Sequence, residues 1–256
     1  MATKINKMLQ ILPKDAILTS QWLGRQGYNS GLLRRYRSSE WLVSIGTGAM
    51  IRTGEQPTIW GGIHALQMQL GLPVYPAGKT ALELLGRSHF LAMGNQVLCL
   101  IGYGKVQLPE WFKKYPWEQS LTYHTTSIIS SEEGLETISH QGLELRISGA
   151  ARAMMECLHL AHSEEDLIES YELMAGLNNL DPDTVWKLLS DCSSVKVKRL
   201  FLYLAEKSRH PWFDHLNLNQ IDLGTGNRSL AEGGVYIPAY KLIVPSALAG
   251  RESITI

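Results

Sequence analysis

One short basic stretch sets the chemistry to be explained. In SGLLRRYRS (30–38), Ser30, Arg34 and Arg37 recur at i, i+4 and i+7, so a helix there carries them on one face, with Arg35 beside them. An arginine fork bonds guanine bidentately, and arginine and serine both hold phosphate oxygens, so such a face suits the major groove of double-stranded DNA. Tyr28 and Asn29 precede it, placed for phosphates at the helix start. Thr47 sits in the turn Gly46-Thr47-Gly48, and Arg52 ends the segment that follows; both would reach the same duplex from a hairpin.

A second basic group lies far downstream. In VKVKRLFLYLAEK (195–207), Leu200, Leu202, Tyr203 and Ala205 are positioned to pack, leaving Lys196, Arg199 and Lys207 outward or sideways. With Lys187 and Lys198 they would form a positive patch for a nucleotide, a nucleic-acid strand or an acidic protein face. A solvated helix face with ordinary i, i+3 pairs, such as Glu206 with Arg209, is the plain alternative. Cys157, His159 and His162 have a zinc-like spacing, but no second Cys pair accompanies them, so the expectation is a core thiol, two surface histidines and no metal site. His210 and His215, around PWFD, are read the same way. LGTGNRS (223–229) lacks the lysine and the strand-to-helix setting of a phosphate loop and reads as a turn. Neither a nucleophile elbow nor a paired-carboxylate or triad signature stands out, so no catalytic residue, no cofactor and no enzyme activity is expected.

Specific elements must position these groups. Thr19 and Ser20 offer capping hydroxyls to a short helix with Trp22 and Leu23 on its apolar side, and Gly27 ends it. Asn29 or Ser30 caps the next helix, with Leu32 and Tyr36 toward the core. Trp41 to Ile45 then reads as a strand, and Ala49 to Arg52 as its return. Helix, turn, basic helix and hairpin in that order predict a winged helix-turn-helix, although the same unit also serves as a plain packing module. A helix over 4–12 precedes it, with Ile5, Met8, Leu9 and Leu12 on one side. Helices over 57–70 and from Gly78 to Gly86 follow. Then come strands near 96–103, 121–129 and 142–148, around the Pro-punctuated aromatic loop LPEWFKKYPW (108–117). Helices over 150–159, 163–177, 181–191 and 195–207 precede a final strand-like YKLIVP (240–245). The class expected is α+β: a winged helix-turn-helix in 1–80 and a larger mixed domain in 81–256, the boundary falling within 73–90.

The 256 residues carry no net charge, but the balance is uneven. Residues 1–90 hold ten Lys and Arg against four Asp and Glu; residues 91–256 hold fourteen against twenty. A basic head facing DNA and an acidic body with another task is the reading that follows. No apolar run approaches the roughly 20 residues a membrane helix needs. The polar N-terminus does not suit a secretion signal, so a cytoplasmic protein without a membrane partner is expected. Cys99, Cys157 and Cys192 are odd in number and widely spaced, as reduced thiols are.

Blocks spread along the chain resemble a known family. They are LLRRYRSSEWL (32–42), PVYPAGKTALELLGRSHFL (73–91), LPEWF (108–112), SVKVKRLFLYLAEKSRHPW (194–212) and IDLGTGNR (221–228). Together they are similar to AbiEi-type antitoxins and transcriptional regulators of bacterial type IV, abortive-infection toxin–antitoxin systems. The resemblance implies an N-terminal winged helix that represses its own promoter at repeated sites. It also implies a C-terminal domain that counteracts a cognate AbiEii-like nucleotidyltransferase toxin, without need of a stable complex, in the setting of phage defence. In ISGAARAMMECL (147–158) the chain departs from the pattern: an acid is expected before Arg152, and Ala151 stands there. The antitoxin surface is then expected at Lys187, Lys196, Lys198 and Arg199, and the protein is expected to be a monomer that binds adjacent repeats cooperatively. Two other readings stay open: a ligand-sensing regulator without a toxin, and an enzyme with an accessory winged helix.

Overall fold

The computed structural model describes residues 4–10, 13, 15–87, 97–130 and 132–251. Its first elements are α1 (Lys4–Gln10), β1 (Leu18–Thr19), α2 (Ser20–Arg25), α3 (Ser30–Ser38), β2 (Leu42–Gly46), β3 (Ala49–Arg52) and α4 (Ile59–His64), which continues into a π-helical turn, Ala65–Gln69. Then come β4 (Val74–Pro76), α5 (Gly78–Leu84), β5 (Leu98–Tyr103), α6 (Glu110–Lys114), β6 (Leu121–Thr126), β7 (Leu135–His140) and β8 (Leu143–Ser148). The remainder is α7 (Ala150–Leu160), α8 (Glu164–Ala175), α9 (Pro182–Asp191), α10 (Val195–Lys207), β9 (Arg228–Ser229), β10 (Val235–Ile237), β11 (Leu242–Val244) and α11 (Ser246–Gly250). The class is mixed α+β, with small sheets ordered β1-β3-β2, β4-β5-β6, β7-β8 and β10-β11-β9. Among the described residues no helix is long and apolar enough to cross a membrane.

Two compact units share the chain. The first gathers Met1–Tyr75, Asn95–Thr125 and Thr137–Arg146; the second gathers Pro76–Gly94, Thr126–Glu136 and Ile147–Ile256. The expected division at residue 80 follows chain order, whereas these units cross it. The LPEWFKKYPW segment (108–117), expected as a loop, contains the short helix α6 and folds with the first unit. Of the residues expected to line the first helix, Met8 is buried and Ile5 packs against the same core; the side chain of Leu9 and residue Leu12 lie outside the described residues.

In the first unit, two glutamines of the π-helical turn pin segments that make few ladder bonds of their own. Buried Gln69 donates from Nε2 to Ile17 O at 2.5 Å and accepts from Thr19 N at 2.8 Å, which fixes both sides of the two-residue strand β1. Gln67 donates to Val74 O at 2.8 Å and Arg146 O at 2.7 Å, and accepts from Arg146 N at 2.9 Å. A π turn is rare and shifts the side chains after it relative to an α-helix.

In the second unit, α10 is buried on nearly every side although it carries five charged residues: Val197, Leu200, Phe201, Leu202, Leu204 and Ala205 are fully buried. Its cations do not point to solvent. Arg199, 1% exposed, donates from Nε to Leu223 O (2.8 Å), from Nη1 to Gly226 O (2.7 Å) and Lys241 O (3.2 Å), and from Nη2 to Gly224 O (3.1 Å). Lys198 reaches Asp222 O at 3.0 Å, Lys196 reaches Ala161 O at the end of α7 at 2.9 Å, and Lys207 reaches Ala249 O and Arg251 O at 3.1 and 2.6 Å. Elsewhere in this unit a buried Arg152–Glu156 pair (2.9 Å) joins α7 to its surroundings. Arg152 also donates to Ser130 O, and Glu156 accepts from Gly78 N. Burial pushes the Glu156 carboxyl up despite that arginine.

His210 completes the packing. Its Nε2 lies 2.7 Å from Met174 O, and its ring stacks on Trp212, whose Nε1 donates to Leu177 O at 2.7 Å. Burial lowers the pKa of His210, against the Met174 hydrogen bond. The unfolded chain takes up a proton at this residue near pH 6.5 and the folded chain only at lower pH. The stability it confers is therefore full above pH 6.5 and lost as pH falls through the folded value. Urea unfolding should show stability declining as pH falls below 6.5, and His210→Gln should flatten that decline. Arg199→Ala should cost about 3–5 kcal/mol by the same measurement, since it strands several buried carbonyls at once.

Candidate nucleic-acid interface

Local capping builds the two helices that carry the basic face. Thr19 has extended backbone and its hydroxyl accepts from Trp22 N at 3.3 Å, starting α2. Gly27, at φ 82°, supplies the left-handed residue after that helix. Asn29 then starts α3, its Oδ1 accepting from Leu32 N at 2.9 Å. The apolar side of α3 is Leu33 and Tyr36, with Leu32 only half-buried, so the helix is rotated from the expected Leu32–Tyr36 orientation. Opposite that side, at helical spacing, stand Gly31, Arg34, Arg35 and Ser38, flanked by Ser30 and Arg37; all of these are exposed.

Two expected DNA contacts are corrected by burial. Tyr28 is 5% exposed and packs in the core with Leu23, Leu33 and Tyr36, and burial, then Tyr36, raises the pKa of its hydroxyl. It braces the turn rather than meeting a phosphate. Arg52, 8% exposed, donates from Nη1 to Pro13 O at 2.8 Å and to Glu55 at 2.9 Å. It closes the base of the hairpin. Asn29 is exposed but its side chain is engaged in the cap, and Thr47 is exposed at the hairpin turn.

The hairpin itself is anchored from a part of the chain that its own sequence does not announce. β2 and β3 pair antiparallel, Leu42 with Arg52 and Val43 with Ile51, with an irregularity between Ser44 and Gly46. Gly46, at φ 150°, lets α6 approach so closely that a Cβ there would lie 2.8 Å from Trp111 Cβ. Gly62 of α4 does the same for the next residue: a Cβ would lie 2.8 Å from Phe112 Cε2 and 3.0 Å from Trp117 Cη2. Trp111 and Phe112 are buried, and Trp117 Nε1 donates to Phe112 O at 2.8 Å.

The second candidate group is also corrected. Lys198 and Arg199 are buried, and Lys196 is half-buried against Ala161 O; each satisfies backbone carbonyls instead of forming an outward positive face. Lys187 is exposed on α9. Three of the four carbonyls held by Arg199 belong to the 223–226 turn, where Gly224 and Gly226 both have positive φ. Cys157 is buried, and His159 Nε2 lies 3.5 Å from Thr126 Oγ1. Among the described residues no group of three His, Cys, Asp or Glu is arranged to hold a metal ion. Ala151, at the start of α7, lines a cleft of about 350 Å³ together with Arg87, Glu133, Glu136 and Asp181.

Comparison with known proteins gives a consistent result. Residues 1–93 match the family model described as transcriptional regulator, AbiEi antitoxin N-terminal domain, and residues 95–245 match that described as transcriptional regulator, AbiEi antitoxin, type IV TA system. No curated protein matches the chain. Among solved structures, the crystal structure of the RV2827C protein from Mycobacterium tuberculosis is similar in fold, with a TM-score of 0.59 at 13% identity, over 94% of this chain and 89% of that one.

The two hairpin residues should separate experimentally. Arg52→Ala should lower folding stability by roughly 1–3 kcal/mol in urea titration, because Pro13 O and Glu55 lose a buried partner. Thr47→Ala should stay within about 0.5 kcal/mol of the wild type.

Proposed function

The chain belongs to the AbiEi antitoxin family, transcriptional regulators of type IV toxin–antitoxin systems, and on that premise we propose that it is a DNA-binding autorepressor whose remaining part is an antitoxin. The segment Leu18–Arg52 acts as a winged helix-turn-helix, with α3 as the recognition helix and the β2–β3 hairpin as the wing. Ser30, Arg34, Arg35 and Arg37 read or hold the duplex, with Thr47 at the wing tip and Asn29 beside the backbone. The operator is the chain's own promoter, at repeated sites bound by monomers. The antitoxin part opposes an AbiEii-like nucleotidyltransferase toxin without a stable complex, and the protein itself is not an enzyme. The division of labour follows the sequence division, DNA binding in 1–80 and antitoxicity in 81–256.

The observation that carries this reading is the outward arginine face of α3, set opposite the buried Leu33 and Tyr36. Charge supports it. The first compact unit holds twelve Lys and Arg against six Asp and Glu, and the second holds twelve against eighteen. A basic surface is the electrostatic requirement for duplex binding, and an acidic one is repelled from it.

A gel-shift titration against the chain's own upstream region tests it. Arg34→Ala should cost about 1–3 kcal/mol of operator affinity if the guanidinium reads a base, and the affinity of the wild type should fall steeply with salt. Unchanged affinity in a folded Arg34→Ala/Arg37→Ala protein would reject α3 as the recognition helix.

A further inference from the structure

We propose that the DNA surface continues past the hairpin onto α6, where Lys113 and Lys114 contact backbone phosphates. The inference rests on the DNA-binding reading above and extends it to residues that lie outside the 1–80 division.

The geometry starts from the anchoring of α6. Gly46 in the hairpin and Gly62 in α4 have no side chain, and their backbones receive Trp111 and Phe112 at distances a Cβ would not allow. Two such approaches, one to the hairpin and one to α4, fix both the position and the rotation of a helix of only a few residues. With Trp111 and Phe112 turned into the core, Lys113 and Lys114 are left exposed. They are therefore displayed from a rigid base next to the hairpin rather than from a swinging loop.

Both lysines pair with Glu110, Lys114 at 3.0 Å. The three side chains are about half exposed or more. Solvent-exposed pairs of this kind are weak and readily exchanged. A duplex lying along the hairpin brings a phosphate row of much higher charge density, which replaces one carboxylate shared between two ammonium groups. Lysine suits this use, since an ammonium holds phosphate as a point charge and carries no base preference. The partner is thus duplex DNA contacted through its backbone, so the contribution is to affinity and orientation and not to sequence choice.

The test uses the full chain and a labelled duplex from its own upstream region, titrated at several salt concentrations. Lys113→Ala/Lys114→Ala should reduce the slope of log affinity against log salt by about 1.8, two contacts at about 0.9 each, and weaken binding by up to about 60-fold near 0.1 M salt. The loss should be similar for a scrambled duplex. Glu110→Gln should strengthen binding, because the lysines no longer share a carboxylate. A salt slope unchanged in Lys113→Ala/Lys114→Ala, while Arg34→Ala still weakens binding, would overturn this inference and leave the recognition helix in place. A wild-type protein that fails to retard the duplex would overturn both. Unaltered thermal unfolding of the variants separates these outcomes from misfolding.

Discussion

Backbone polar groups that no helix or sheet reaches must still be satisfied once they leave water, and each one left alone costs about as much as several good contacts return. This chain has many such groups, because its strands are short and its sheets small. Long side chains do the work. Gln67 and Gln69 bind both the donors and the acceptors of segments near them, and the cations of α10 bind acceptors alone. The distribution has a chemical logic. A glutamine amide can serve both sides of a strand edge, whereas the end of a helix or a tight turn with inward carbonyls offers only lone pairs, which a guanidinium or ammonium matches.

That logic explains why a lysine- and arginine-rich helix is the centre of the second unit. Arg199 bonds carbonyls from 223, 224, 226 and 241, so one side chain ties the 221–228 turn to the start of β11. Two of the blocks that marked the family resemblance, SVKVKRLFLYLAEKSRHPW and IDLGTGNR, are in fact two halves of one contact. In this chain their basic side chains serve packing, so a search for the antitoxin surface is better directed at residues that leave their polar groups in solvent.

Much of this was legible in the sequence, and what was not has a common cause. The helix starts at Thr19 and Asn29 follow from residues within three positions of the cap, and the structure has capping bonds at both. The basic face of α3 was likewise local, although reading Leu32 for Leu33, with Tyr36 common to both, displaced the middle of the buried side by about 50°, half the roughly 100° step between neighbours. β7 was not anticipated at all, and its burial pattern explains why: none of its residues is fully buried, so it lacks a clean apolar alternation. Tyr28, Arg52, Lys198 and Arg199 were read as surface because their types usually are. Three of these four find partners 24 to 42 residues away in the chain, out of reach of any periodicity. The α6 anchor belongs with them. Gly46 and Gly62 looked like a turn residue and a helix residue, and only the approach of Trp111 and Phe112 gives their missing side chains a reason.

The discontinuity of the first unit also imposes an order in time. A ribosome makes the hairpin and α4 well before it reaches Trp111, and at about 5–20 residues per second the interval lasts several seconds. Through that interval the backbone at Gly46 and Gly62 faces an empty seat. The first 75 residues emerge as a nascent surface still waiting for its lid of aromatic rings, and the unit closes only after Arg146 has been added. Translation past Arg146, rather than completion of the first 75 residues, is what delivers a finished basic unit.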